Sequence, residues 1–197
     1  MSSLEIHTRY KYLIVVAIKG EISKKLIIFD LDDTLIKTDA RVKILDSKTG
    51  ETLKELDNKG FANFVKKKGF VINFEDFESP ELLRKGRIIK NILGILKKAY
   101  LKKTHIAILT ARSSSELVRN FFLEHGIDIH PDLVIAVGDN KFKSIDSIPE
   151  KKRDEIKNLI DQGYTDLVFF DDNEDNLRLA KRVEGYKGAK IKTIKVD

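Results

Sequence analysis

The sequence predicts an α/β protein built on a three-layer, doubly wound parallel sheet of Rossmann-like type, with a small insertion containing a β-hairpin. Three observations predict it. Short apolar, β-branched runs recur at residues 26–29, 104–109, 133–137, 167–170 and 191–196. Runs of this length without polar alternation read as strands buried on both faces. From residue 104 onward they alternate with stretches of helical periodicity, and strand–helix alternation implies parallel βαβ units. Three of the runs stop on acidic or hydroxylic residues, which a parallel sheet collects along one edge.

Taken in order, residues 1–24 form an N-terminal extension in which 10–18 reads as a strand and Gly20 as a turn. It is suited to extend a sheet edge or to meet another chain, a second copy included. Its apolar run, 12–18, is too short to span a bilayer. Flanked by Lys11 and Lys19 and followed by no small-residue cleavage site, it makes a poor signal peptide. Residues 25–37 and 84–197 are expected to form the core, with 38–83 inserted between. Within the insertion, 41–46 and 51–56 alternate around Ser47-Lys48-Thr49-Gly50, a hairpin signal. A short helix is expected over 58–68, ending at Gly69. The aromatic-acidic stretch 70–78 reads as the insertion's own small core. Base-stacking platforms sit among basic residues, and these neighbours are acidic.

Residues 88–103 carry Ile88, Ile89, Ile92, Leu96, Ala99 and Tyr100 at helical spacing. The strand at 104–109 ends on Thr110-Ala111-Arg112. Ser113 and Glu116 then suggest a capping box for a helix running to His125, with Gly126 as its stop. Pro149 suits the first turn of a helix through Asp161, and 174–183 reads as the last helix.

The 197 residues suffice for one domain plus an insertion, and 42% hydrophobic with 35% charged residues describes a soluble globular chain. No cysteine is present, which excludes disulfides and thiolate metal sites, so a cytoplasmic location is expected. The net charge of +6 is unevenly placed. Residues 36–100 hold 15 Lys/Arg against 9 Asp/Glu, and the remainder is balanced. A basic face attracts phosphate-rich partners, although a solvated lysine surface has the same composition.

The chemistry-bearing residues close three strands: Asp30, Asp32 and Thr34; Thr110 and Arg112; Asp171, Asp172 and Asp175. Five aspartates on one sheet edge repel one another unless a divalent metal or a cationic side chain compensates. Carboxylates also suit magnesium, a hard cation. His7, His105, His125 and His130 show no ligand spacing.

The run Asp30-Leu31-Asp32-Asp33-Thr34, the Thr110 strand end and the Asp171-Asp172 pair together resemble the motifs of the haloacid dehalogenase-like (HAD) phosphohydrolases. The resemblance covers the chain from about Lys25 to Val196. It implies Asp30 as nucleophile, forming an aspartyl-phosphate, and Asp32 as general acid and base. It implies Thr34 as support for that loop and Thr110, with Ala111 and Arg112, as the substrate-binding turn. Mg²⁺ would be held by the Asp30 carboxylate, the Asp32 backbone carbonyl and Asp171, with Asp172 or Asp175 as a further acid. The family's motif lysine maps to Lys152 on spacing, with Lys151 and Lys143 as alternatives. The family commonly carries Gly after its second aspartate; Asp33 stands there.

The function expected from this resemblance is phosphomonoester hydrolysis. The family inserts a cap where residues 38–83 lie, so a basic insertion and Arg112 suggest a nucleotide or a nucleic-acid 3′-phosphate. That resembles the phosphatase half of polynucleotide kinase 3′-phosphatases. These residues contain no Gly-x-x-x-x-Gly-Lys-Ser/Thr loop, so no P-loop kinase is encoded in them. The alternatives are a small sugar or metabolite phosphatase and a non-catalytic partner protein, the latter using the N-terminal strand or the basic insertion for docking. A bare nucleic-acid-binding module would instead show salt-sensitive affinity without turnover.

Overall fold

Leu26, Ile28, Phe29 and Leu31 are all inaccessible to solvent, as a strand at the centre of a covered sheet requires. The computed structural model describes residues 24–65, 67–139 and 147–197. The strand expected at 10–18, its role in chain contacts, His7 and Lys143 lie outside the described residues. In chain order the elements are β1 (Lys24–Phe29), β2 (Ile36–Lys37), β3 (Val42–Asp46), β4 (Thr52–Leu56), α1 (Asn58–Ala62) and β5 (Phe70–Asn73). Then come α2 (Pro80–Lys85), β6 (Arg87–Ile88), α3 (Lys90–Leu101), β7 (His105–Thr110), α4 (Ser115–Glu124) and β8 (Val134–Ala136). The chain finishes with α5 (Ile148–Asp161), β9 (Tyr164–Asp171), α6 (Glu174–Lys181) and β10 (Lys190–Lys195).

Five strands form one parallel sheet in the order β10-β9-β1-β7-β8, flanked by helices. The chain steps outward from β1 to β7 and β8, then returns to the other side of β1 for β9 and β10. Neighbouring strands β1 and β9 therefore send the chain in opposite directions from the same edge. Ligand crevices of open α/β sheets form at such a reversal. Among the described residues, no helix is long and apolar enough to cross a membrane.

The inserted segment leaves and rejoins the core through a two-residue antiparallel pair, Ile36↔Ile88 and Lys37↔Arg87. Neither strand is foreseeable, because two residues carry no periodicity. Gly86 is required at this neck, since a Cβ there would stand 2.7 Å from Ile36 side-chain atoms. The expected hairpin forms as β3 and β4, and β5 adds antiparallel on the other side of β3. Asp46 accepts from the Lys48 and Thr49 amides, and Gly50 takes φ 73°, which closes the turn. Val42, Ile44 and Leu56 are buried against Phe61, Phe64, Phe70, Ile72 and Phe77, so the aromatics do form a small core.

One helix end and one helix start differ from expectation. The helix expected over 58–68 stops at Ala62, because Gly60 weakens it and Phe61 and Phe64 are drawn onto the sheet. The cap of α4 is Ser114, whose hydroxyl accepts from the Leu117 amide, while the Ser113 hydroxyl donates to Glu78 in the insertion.

Candidate active site

Parallel pairing of β1 with β9 matches Phe29 to Phe170 and stacks their rings 4.9 Å apart. The next residues, Asp30 and Asp171, thus emerge side by side from the carboxyl ends of adjacent strands. Both are buried, at 4% and 0% exposure. Two such carboxylates require a cation, and the structure supplies one. Lys152 Nζ lies 2.7 Å from Asp30 Oδ1 and 2.8 Å from Asp171 Oδ2. Lys152 belongs to the inward stripe of α5 with Ile156, Leu159 and Ile160, and is itself only 1% exposed. That helical spacing, four, seven and eight residues, also separates it from Lys151, which is only partly buried.

Burial pushes the Asp30 carboxyl well above the usual carboxylate range; Lys152 pulls it back, while Asp171 and Asp172 push it further up. Burial works against the Lys152 ammonium, but Asp171 and Asp30 outweigh it and raise its pKa above the usual lysine value. The other side of Asp171 is held by neutral donors: Oδ1 accepts from the Asn173 amide at 2.8 Å and from Asn176 Nδ2 at 2.9 Å. Asn173 also caps α6 by accepting from the Asp175 and Asn176 amides.

Asp32 faces a different cation. Arg112 grips it with both forks, Nε to Oδ2 at 2.9 Å and Nη2 to Oδ1 at 2.8 Å. Its remaining arm, Nη1, donates to the Phe77 carbonyl of the insertion at 2.6 Å. Asp33 sits in the left-handed region at φ 58° and accepts from Asn58 Nδ2, also of the insertion, at 2.8 Å. Asp and Asn tolerate that region better than most residues, so Gly is not required there.

Thr110 is fully buried at the end of β7, and its hydroxyl accepts from the Arg112 amide at 3.2 Å. The turn after it is fixed by β8. Val137 donates to the Thr110 carbonyl and Gly138 to the Arg112 carbonyl, at 2.9 and 3.0 Å. A Cβ on Gly138 would stand 2.2 Å from the Ala111 carbonyl oxygen, so only glycine permits this approach. Among the described residues, Thr34 Oγ1 and Asn176 Oδ1 are buried without a hydrogen-bond partner.

Of the expected site residues, Asp30, Asp32, Thr34, Thr110, Arg112, Lys152 and Asp171 are gathered at this one edge. Asp172 joins them, partly buried, and its carboxyl is pushed up to about 6 by burial and then by Asp171 and Asp33. Asp175 does not join them. It is exposed on α6 and paired with Arg178 at 2.8 Å, because the inward positions of that helix go to Asn176, Leu177, Leu179 and Ala180. Arg112, expected to meet a substrate phosphate, is turned onto Asp32 instead. Sequence reading missed Asn58, Phe77, Gly138, Asn173 and Asn176. Only Asn176 left a signal, as the polar residue at the helical spacing of inward-facing Ala180.

Carboxylate oxygens of Asp30, Asp171 and Asp172 lie within 4.8 Å of one another. Three hard oxygen donors this close fit Mg²⁺, and a cation there would offset the crowding that raises Asp30 and Asp172. The chain matches no protein-family model, and no match was found among curated proteins.

Proposed function

We propose that this chain is a Mg²⁺-dependent phosphomonoesterase of the HAD type, with Asp30 as nucleophile and Asp32 as general acid and base. One observation carries the reading: two carboxylates on neighbouring parallel strand ends share a single buried ammonium, from Lys152, at the reversal point of the sheet. An arrangement that costs this much desolvation suits the handling of a multiply charged group.

In this reading Asp30 Oδ attacks phosphorus as the ester oxygen leaves on the opposite side. Lys152 orients the Asp30 carboxylate and neutralises charge that would repel the incoming phosphoryl group. The Thr110 hydroxyl donates to a phosphoryl oxygen. Asp32, carrying a proton on an oxygen lone pair that the Arg112 fork leaves free, gives it to the departing oxygen, and then takes one from the water that cleaves the aspartyl-phosphate. Mg²⁺, held by Asp30, Asp171 and Asp172, would supply charge neutralisation for the transferring group.

The basic excess of residues 36–100 favours a nucleotide or a nucleic-acid 3′-phosphate as substrate. Arg112 no longer adds to that preference, since it is turned onto Asp32. The test is phosphate release with Mg²⁺ by wild type and Asp30→Asn, across p-nitrophenyl phosphate, sugar phosphates, nucleotides and 3′-phosphorylated single-stranded DNA. Wild-type turnover and its loss in the variant are expected. Silence across the panel, or equal turnover by the variant, would sink the enzyme reading. DNA turned over no faster than p-nitrophenyl phosphate would sink its nucleic-acid version.

A further inference from the structure

The residues on both sides of Asp32 in space are tied to the insertion. Asp33, its neighbour in the chain, accepts from Asn58. Arg112, its ion-pair partner, donates to the Phe77 carbonyl and lies over the Phe77 ring with Cζ 5.6 Å from the centroid. The next residues pair in turn, Ser113 donating to Glu78 at 2.8 Å. Consecutive core residues 112–113 thus dock on consecutive insertion residues 77–78. The Arg112 side chain is 1% exposed and that of Asp32 14%, so Asp32 is the more accessible member of the pair. A guanidinium fork fixes the plane of a carboxylate in a way a point charge does not.

We propose that Arg112 is a positioning residue that aims Asp32 at the leaving oxygen, and that the insertion, through Phe77, holds Arg112 in place. The inference rests on the phosphomonoesterase reading and assigns Arg112 no contact with substrate. Its consequence is specific. In the transfer to Asp30, only esters whose leaving oxygen needs a proton depend on Arg112. The insertion then contributes to the chemical step without presenting any side chain to the ester.

The experiment compares kcat/KM for β-glycerophosphate, whose alkoxide needs a proton, with that for p-nitrophenyl phosphate, whose phenolate leaves unaided. kcat/KM reports only steps through transfer to Asp30, so the later use of Asp32 as a base does not enter. Arg112→Gln is expected to lower the glycerophosphate value about a hundredfold and the aryl value less than about fivefold, with KM little changed. Phe77→Ala is expected to shift the ratio in the same direction by a smaller factor. In an Asp32→Asn background, Arg112→Gln is expected to add no further loss, because both changes remove one function. If the glutamine chain fails to fold, Arg112→Lys, which keeps the charge but not the fork, carries the same comparison. An equal loss on both esters with a raised KM would overturn the inference and make Arg112 a phosphate contact. An unchanged ratio in Phe77→Ala would remove the Phe77 ring from it and leave the insertion's hold on Arg112 to the backbone carbonyl, which alanine retains. A wild type inactive on both esters defeats the phosphatase reading itself, which separates that failure from this one.

Discussion

Replacing Lys152 by methionine keeps the length of the side chain in the inward stripe of α5 and removes the one positive charge that, among the described residues, Asp30 and Asp171 share. Each Nζ–carboxylate pair, 2.7 and 2.8 Å apart, attracts by roughly 6 kcal/mol at an effective dielectric near 20. Most of that offsets the desolvation of three buried ions, so the gross figure is not the loss. The loss has a ceiling, because the variant can protonate one carboxyl. Holding a proton at pH 7 on a group that titrates near 4 when unfolded costs about 3 units, or about 4 kcal/mol. At pH 5 the same step costs only about 1.5 kcal/mol.

The sign is fixed by linkage: a carboxyl raised in the folded state favours folding at low pH, and that contribution disappears as pH rises towards its folded pKa. Urea unfolding of Lys152→Met in EDTA should therefore show a penalty of about 4 kcal/mol at pH 7 that shrinks by more than half at pH 5. In a scan at pH 7 this corresponds to a fall of roughly 8–16 °C in Tm. Asp30→Asn added to Lys152→Met should recover part of it, since one fewer buried carboxylate then lacks a cation. A penalty below about 1 kcal/mol, or one that ignores pH, would refute the claim that Lys152 exists to hold these two acids.

Two further outcomes follow from the same edge. Gly138→Ala should cost about 1–3 kcal/mol or more in urea unfolding, because its Cβ meets the Ala111 carbonyl at 2.2 Å and the Thr110–Arg112 turn must shift; near-wild-type stability would show that the turn is not fixed by β8. Asp172, raised to about 6, binds its proton more tightly folded than unfolded, so its share of stability is lost as pH climbs from about 4 to 6. The rise in Tm on adding Mg²⁺ should grow over that interval, since metal takes the carboxylate form; a Tm shift that is flat from pH 5 to 7.5 would argue against Asp172 as a ligand.

The strands and their polar ends were legible because each is an apolar run that stops at a charged or hydroxylic residue, a signal confined to a few neighbours in sequence. Lys152 was legible only through the family resemblance, which implies a lysine near the start of this helix and left Lys151 and Lys143 as alternatives. What sequence could not resolve was azimuth. Asp175 and Asn176 are adjacent, both polar, and about 100° apart on α6, so the packing of Leu177 and Ala180 decides which one turns in. Nor could it resolve partnership across the insertion. Nothing in the spacing of residues 77 and 112 says that a carbonyl of one receives the guanidinium of the other. Sequence placed Arg112 beside Thr110 as a candidate phosphate clamp and gave no sign that its guanidinium pairs with Asp32.

The β2–β6 neck has a consequence for how such a chain can change. Entry and exit lie side by side at Ile36 and Ile88, so the intervening stretch is topologically a cassette that could be exchanged without cutting any strand of the main sheet. Yet the cassette carries two pieces of the core's own hardware, the Phe77 carbonyl on Arg112 and Leu83, which is buried in the main hydrophobic cluster. A replacement loop that spans the neck but brings neither would leave the sheet intact and Asp32 unaimed. Variation here is therefore free in outline and constrained at the neck glycine and at these two points, where any successor must supply an acceptor for a guanidinium and an apolar plug.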